Sequence, residues 1–170
     1  MRLQLSTNSD IHKILQIIND AKVYLKSQKI DQWQHGYPNK SQIERDIANN
    51  ESYVLTNDAN QVIATSMFSI RPEPTYKLID GEWKIKESEK YGVIHRLAIH
   101  KNHRKKGIAS FILNEFHQQL IKQQIRSLKI DTHEDNHEMQ YLVKKLGYVY
   151  CGLIFTEYNA KRFAFEKVIF

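Results

Sequence analysis

Val93-Ile94-His95-Arg96-Leu97-Ala98-Ile99 runs through His100-Lys101-Asn102-His103-Arg104-Lys105-Lys106 into Gly107-Ile108-Ala109-Ser110. Two periodicities meet in this stretch. Tyr91 to Ile99 reads as a strand, with His95, Leu97 and Ile99 alternating onto one side. From Gly107 to about Gln123, Ile108, Ile112, Phe116 and Leu120 recur at four-residue steps, the spacing of a helix face. Between them, Lys101, Arg104, Lys105 and Lys106 load a short loop with positive charge. The first N–H groups of a helix lack internal acceptors, and the helix dipole makes that end positive. Gly107 lets backbone approach a ligand closely, and Ala109 keeps the first turn narrow. Together these features predict a cradle of main-chain amides for a diphosphate, fringed by cationic side chains. The competing reading makes the basic run a solvated face and Gly107 a turn residue.

Outward from this stretch the pattern continues. Leu3 to Leu5 reads as a short strand and Asp10 to Ser27 as a helix, with Ile11, Ile14, Leu15, Ile18 and Leu25 on one face and Asp10 or Ser9 as cap. Ser41-Gln42-Ile43-Glu44 has the form of a capping box that opens a second helix. Tyr53 to Thr56 and Gln61 to Ile70 flank the polar turn Asn57 to Asn60 as a hairpin. Asp80-Gly81 reads as the turn of an excursion over Tyr76 to Ile85. Ser127 to Asp131 is a strand and His137 to Leu146 a helix. Tyr148 to Thr156 and Arg162 to Val168 close the order as strands. That order predicts an α/β fold with a mixed sheet and helices on both faces, in one domain over residues 1–170.

Composition narrows the function classes. The 170 residues are 41% hydrophobic and 26% charged, the balance of a globular chain. No apolar run approaches the ~20 residues of a membrane span, and no secretory leader is visible. The single cysteine, Cys151, excludes an intramolecular disulfide and a cysteine-rich zinc site, and points to a reducing cytoplasm. Lysine and arginine exceed aspartate and glutamate by 25 − 19 = 6, which suits a polyanionic partner. Nucleic acid is disfavoured, because the basic cluster sits at one loop and no Arg/Lys-rich recognition helix is evident. Neither a membrane partner nor a metal is expected, since the eight histidines lack ligand spacing.

Arg104-Lys105-Lys106-Gly107-Ile108-Ala109, preceded by Leu97-Ala98-Ile99, resembles the main signature of the GNAT superfamily of acetyl-CoA-dependent N-acetyltransferases. Ile130-Asp131-Thr132, Asn136 and Lys145-Leu146-Gly147-Tyr148 are similar to its second region, and the element order fits over nearly the whole chain. The resemblance implies the GNAT fold, a central twisted mixed sheet, and acetyl-CoA (coenzyme A) as the cofactor. Arg104, Lys105, Lys106, Gly107, Ile108 and Ala109 would hold the diphosphate, with Ser110 adding a hydroxyl. Leu97, Ala98 and Ile99 would meet the pantetheine arm through strand-edge backbone groups, Leu97 N–H serving also as oxyanion donor. Asn136 would contact the same arm, and Lys145 would approach the cofactor.

His95 is the expected base, since an unperturbed histidine titrates near ~6.5. His-x-Leu-Ala-Ile-His is also similar to the serotonin (arylalkylamine) N-acetyltransferase subgroup, whose base histidine stands at that position. A hydrogen-bonded core histidine is the alternative, and His133 and His137 are candidates for a water-borne relay. Many family members carry a general-acid tyrosine where this chain has Val143. On the acceptor side, Trp33 and Tyr37 of Ile30 to Pro38 offer an aromatic wall and Asp31 a charge for an amine; closure of the core is the alternative. The expected activity is transfer of an acetyl group to a primary amine of a small molecule or peptide, by direct attack in a ternary complex. The alternative is a non-catalytic acyl-CoA sensor, motivated by Val143. A homodimer is compatible with either, with the Tyr76–Ile85 excursion as lid or dimer contact.

Overall fold

The computed structural model describes residues 1–86 and 88–170. Its strands are β1 (Arg2–Leu5), β2 (Ser52–Thr56), β3 (Val62–Ser69), β4 (Asp80–Gly81), β5 (Gly92–Ile99), β6 (Ser127–Thr132), β7 (Val149–Phe155) and β8 (Lys161–Val168). Its α-helices are α1 (Ile11–Ser27), α2 (Lys40–Ala48), α3 (Ile108–Lys122) and α4 (His137–Lys145). The strands hydrogen-bond in the order β1-β2-β3-β5-β6-β8-β7-β4. The β5–β6 pair is parallel, whereas β1–β2, β2–β3, β6–β8, β7–β8 and β4–β7 are antiparallel. The fold is therefore the mixed sheet with flanking helices that the element order implies. By contact the chain divides into two units, residues 1–68 with 95–115 and residues 69–94 with 116–170.

In the first unit, α1 turns Ile14, Ile17 and Ile18 onto a core shared with Ile43 of α2, Val54 of β2 and Ala98 of β5. Each such aliphatic side chain contributes about 1.5–3 kcal/mol on leaving water. Trp33, Ile11 and Ile47 pack against the same cluster. Ahead of α1, the Thr7 amide donates to Asp10 Oδ2 at 2.7 Å, closing a capping box over a 3-10 turn. The start of α2 differs from the expectation. Asn39, not Ser41, is the cap, its Oδ1 accepting from Gln42 N at 3.0 Å, while the Ser41 hydroxyl donates to that same oxygen. A helix begun at Lys40 still points Ile43 and Asp46 inward, so the earlier cap wins.

In the second unit, Tyr76, Val93, Ile154 and Ala164 form the core, with Ile79, Trp83 and Tyr91 packed on it. The expected turn at Asp80-Gly81 is instead the short strand β4, paired with Leu153 and Gly152 of β7. The approach is so close that a Cβ on Gly81 would lie 2.1 Å from the Cys151 carbonyl oxygen. One on Gly152 would lie 2.2 Å from the Asp80 oxygen. Both residues also sit at positive φ, 141° and 145°, where only glycine is unstrained. The excursion is thus part of the sheet edge, although Leu78 at its tip is 86% exposed. Beneath it lies Lys129 of β6, 2% exposed, its ammonium 3.9 Å from the ring centre of Tyr91 and 4.2 Å from that of Trp83. Glu166 of β8, the register partner of Lys129, accepts from the Ser127 hydroxyl and from the Lys84 amide.

Candidate active site

β5 carries a local reversal in mid-strand. Arg96 has φ 55°, a left-handed backbone conformation that arginine adopts at a cost of about 1 kcal/mol or more. The register with β6 runs from Gly92↔Leu128 to Ile94↔Ile130, while β6 continues with β8 as far as Thr132↔Phe163. Beyond the reversal Arg96 and Ala98 are buried, whereas His95, Leu97 and Ile99 are only half-buried. Ala98 belongs to the core under α1 and α2, which places the alternate residues on the other side of the strand. The His95 carbonyl accepts from the Ser66 hydroxyl at 3.5 Å.

Arg96 itself was not singled out by its sequence pattern, yet its side chain is buried and bonded at all three nitrogens. Its Nε donates to Asp46 Oδ2 at 2.8 Å and its Nη2 to Asp46 Oδ1 at 2.9 Å, a bidentate fork. Its Nη1 donates to the Tyr37 hydroxyl, and the guanidinium carbon lies 5.8 Å from the Tyr37 ring centre. Burial works against this charge, but the Tyr37 oxygen and then the Asp46 carboxylate outweigh it and raise the guanidinium pKa further. The available signal was a lone charge inside an apolar strand, which must find a buried partner.

After β5, His100 caps a 3-10 turn over Lys101–His103, its Nδ1 accepting from Asn102 N at 3.3 Å. Partial burial, then Lys13, hold its imidazole below the ordinary pKa. The chain reaches α3 through two left-handed residues, Lys105 at φ 59° and Gly107 at φ 74°. A Cβ built on Gly107 would meet no heavy atom within 4 Å, so the space in front of the turn is open. Phe111 N donates to the Gly107 carbonyl, the first bond of the helix. The N–H groups of Ile108, Ala109 and Ser110 therefore belong to the first turn, where a helix offers no internal acceptor. This donor set fits a diphosphate.

The cationic fringe differs from the expectation in one respect. The Arg104 guanidinium is turned to α1, donating to the Asp20 carbonyl at 3.0 Å and to the Ile99 carbonyl at 3.4 Å, and it lies 4.5 Å over the Tyr24 ring. Lys105 and Lys106 are exposed, Lys106 Nζ donating to the Asn102 carbonyl at 3.0 Å.

The acceptor candidates separate. Trp33 packs on the core, Tyr37 faces Arg96, and exposed Asp31 pairs with His35 at 3.0 Å. Around them Lys22 Nζ holds the Pro38 carbonyl at 2.6 Å, and the Gln34 side chain holds the carbonyls of Lys22 and Gln32. In the second unit, Asn136 caps α4, its Oδ1 accepting from Met139 N at 3.1 Å, and Lys145 is exposed at the far end of that nine-residue helix. His133 is half-buried, His137 exposed, and Val143 0% exposed. Among the described residues no group of three or more His, Cys, Asp or Glu is placed to hold a metal ion, and no helix is long and apolar enough to cross a membrane.

Comparison with known proteins bears on this arrangement. The Acetyltransferase (GNAT) family profile matches residues 12–148. A GNAT-family acetyltransferase structure from Streptococcus agalactiae superposes with a TM-score of 0.87 at 29% identity, over 98% of this chain and 94% of that one. A second, from Listeria monocytogenes, gives 0.77 at 16% identity over 98% and 94%, a likeness of fold. A ribosomal-protein-alanine N-acetyltransferase from Brucella melitensis gives 0.69 at 15% identity over 99% of each chain, again a likeness of fold. No curated protein matches the sequence at a significant level.

Proposed function

Starting from the fact that the chain belongs to the GNAT acetyltransferase family, we propose that it moves an acetyl group from acetyl-CoA to a primary amine of a small molecule or peptide, by direct attack in a ternary complex. The observation that carries this reading is the turn before α3. Left-handed Lys105 and Gly107, the latter with no heavy atom within 4 Å of a Cβ built on it, lead into the first-turn amides of Ile108, Ala109 and Ser110 at the positive end of a helix. Acetyl-CoA supplies an activated thioester carbonyl, on whose oxygen negative charge gathers as the amine attacks.

The chain's own groups then divide the work. The first-turn amides of α3, with Lys105 and Lys106 beside them, bind the diphosphate, and Arg104 adds its main chain while its side chain braces α1. Backbone groups of Leu97, Ala98 and Ile99 orient the pantetheine arm, and Leu97 N–H donates to the charged oxygen. His95, half-buried on β5 two residues before Leu97, takes the proton that the ammonium form of the substrate must lose. Asn136 and Lys145 are assigned to the cofactor, and Asp31 and Tyr37 to the acceptor, on the family resemblance. A reducing cytoplasm suits the one free cysteine.

The complete burial of Val143 gives a second reading some footing, because no tyrosine hydroxyl stands at that position to protonate the thiolate. Under that reading the chain is an acyl-CoA sensor. One pair of measurements tests both. Gly107→Val, whose Cβ meets no protein atom but whose branched side chain is strained at φ 74°, is expected to reshape the turn and to weaken CoA binding by calorimetry at least a hundredfold, with the fold checked by circular dichroism; a change below threefold refutes the turn assignment. Thiol release with a panel of amines is expected from the wild type and lost in His95→Ala. Tight CoA binding with no release from any amine would select the sensor.

A further inference from the structure

The first unit contains a side-chain cluster, Arg96, Asp46 and Tyr37, of which the reaction as described uses Tyr37 alone, on the acceptor side. Arg96 is the residue at which β5 reverses, and the peptide plane joining it to Leu97 carries the Leu97 N–H. The direction of that N–H therefore follows the torsion angles of Arg96. A left-handed arginine in mid-strand persists only where its surroundings hold it. Here they do so through both oxygens of Asp46, from the last turn of α2, and through the hydroxyl of Tyr37, in the segment that leads into α2. Asp46 is itself oriented by Gln42 Nε2 at 2.9 Å. Tyr37 lies beside Pro38, whose carbonyl is held by Lys22 of α1, and one residue after Gly36, which is at positive φ with no heavy atom within 4 Å of a Cβ built on it. The segment is thus tied down at its end by Lys22 and along its middle by the Gln34 bonds and the packing of Trp33.

We propose that Arg96 is a positioning residue, and that with Asp46 and Tyr37 it forms a latch through which the Asp31–Pro38 segment sets the direction of Leu97 N–H. The inference rests on the reading of Leu97 N–H as the oxyanion donor. It adds that the donor is aimed by a buried guanidinium whose third partner belongs to the acceptor-side segment. Loosening the latch then lowers the rate of the chemical step and leaves the diphosphate turn, with its hold on CoA, intact.

The test uses the full chain with three substitutions, Tyr37→Phe, Asp46→Asn and Arg96→Lys. Tyr37→Phe removes one oxygen and keeps the ring; Arg96→Lys keeps the charge and loses the fork. In the ligand-free protein the 1H–15N signal of the Leu97 amide is expected to move in Tyr37→Phe and further in Arg96→Lys. With acetyl-CoA and an amine that the wild type accepts, kcat is expected to fall about tenfold in Tyr37→Phe and at least thirtyfold in Arg96→Lys. CoA affinity by calorimetry should stay within threefold throughout. Should Asp46→Asn or Arg96→Lys fail to fold, Tyr37→Phe alone decides. An unmoved Leu97 signal, a kcat within twofold of wild type, or a loss found wholly in CoA affinity overturns the latch. A wild type that binds no CoA would overturn the proposed function instead, and the Leu97 signal would still decide the latch.

Discussion

Each of the two units buries a cation, and they do so for different ends. In the first, Arg96 is bonded at all three nitrogens by a carboxylate and a phenol, and the residue so held is a backbone irregularity. In the second, Lys129 stands on a regular strand with its ammonium against two aromatic faces, and nothing about its backbone is unusual. The contrast extends to the surroundings. Elsewhere the second unit hides further titratable groups: Glu166 beside Lys129, the Tyr76 hydroxyl on Asp131 Oδ2 at 2.7 Å, and His117 bonded to Tyr148 at 2.9 Å. A buried charge that fixes a backbone angle is therefore distinguishable from one that fills a core, by what fails when it is removed.

The largest expected effect separates the two cations directly. Arg96→Met leaves Asp46 buried without its partner and should lower unfolding stability by about 3–5 kcal/mol in urea titration. Lys129→Met, an apolar side chain of similar length, forfeits the contact with two rings and takes a charge away from its buried register partner Glu166, so it should lower stability by a comparable amount, with kcat for thiol release unchanged. Equal losses of both stability and kcat would erase the distinction.

The next effect concerns pH. Burial, then Lys167, push the His117 imidazole down to about 4, below the ~6.5 of an unfolded chain. The unfolded chain therefore binds the proton first on acidification. The stabilising contribution is fully present above pH ~6.5 and is lost as pH falls toward 4, to a limit of about 3 kcal/mol. Unfolding free energies at pH 7 and 5 should show part of this loss, and His117→Gln, which can still bond Tyr148, should flatten it. An unchanged slope in the variant would assign the acid sensitivity elsewhere.

The smallest effect is chemical. Burial, then Glu166, push the Cys151 thiol up to about 11, so at pH 8 only about one molecule in a thousand carries the thiolate. Iodoacetamide should label the native chain at least a hundredfold more slowly than the unfolded one. Fast native labelling would mean that the interior of the second unit opens readily.

The sequence pattern was most legible where one period is sustained. Alternation in β5 and four-residue steps in α3 located the strand, the turn and the helix, because each element buries one face. Legibility failed where the deciding partner is distant in the chain. Asn39 and Ser41 are equally good caps locally, and the buried Asp46 of the same helix finds its partner only in Arg96, fifty residues on. Arg104 looked like an anion ligand by its place in the basic run, but the Tyr24 ring and the Asp20 carbonyl on α1 claim its guanidinium. Asp80-Gly81 has the composition of a turn, and its pairing with β7 depends on Gly152, seventy-one residues later in the numbering. The turn into α3 was readable because it needs little more than Gly107 at a helix start.

The contact of Gly81 with Gly152 has a further consequence. An outermost strand offers unpaired amides and carbonyls to any other chain, which makes it a template for runaway association. Here a two-residue strand occupies the centre of that outer edge on β7, and its two glycines leave no gap between backbones. Neither can acquire a side chain without prising the strands apart, so a mutation at one is not repaired by a mutation at the other. The glycine pair thus protects the solubility of the chain as well as its shape.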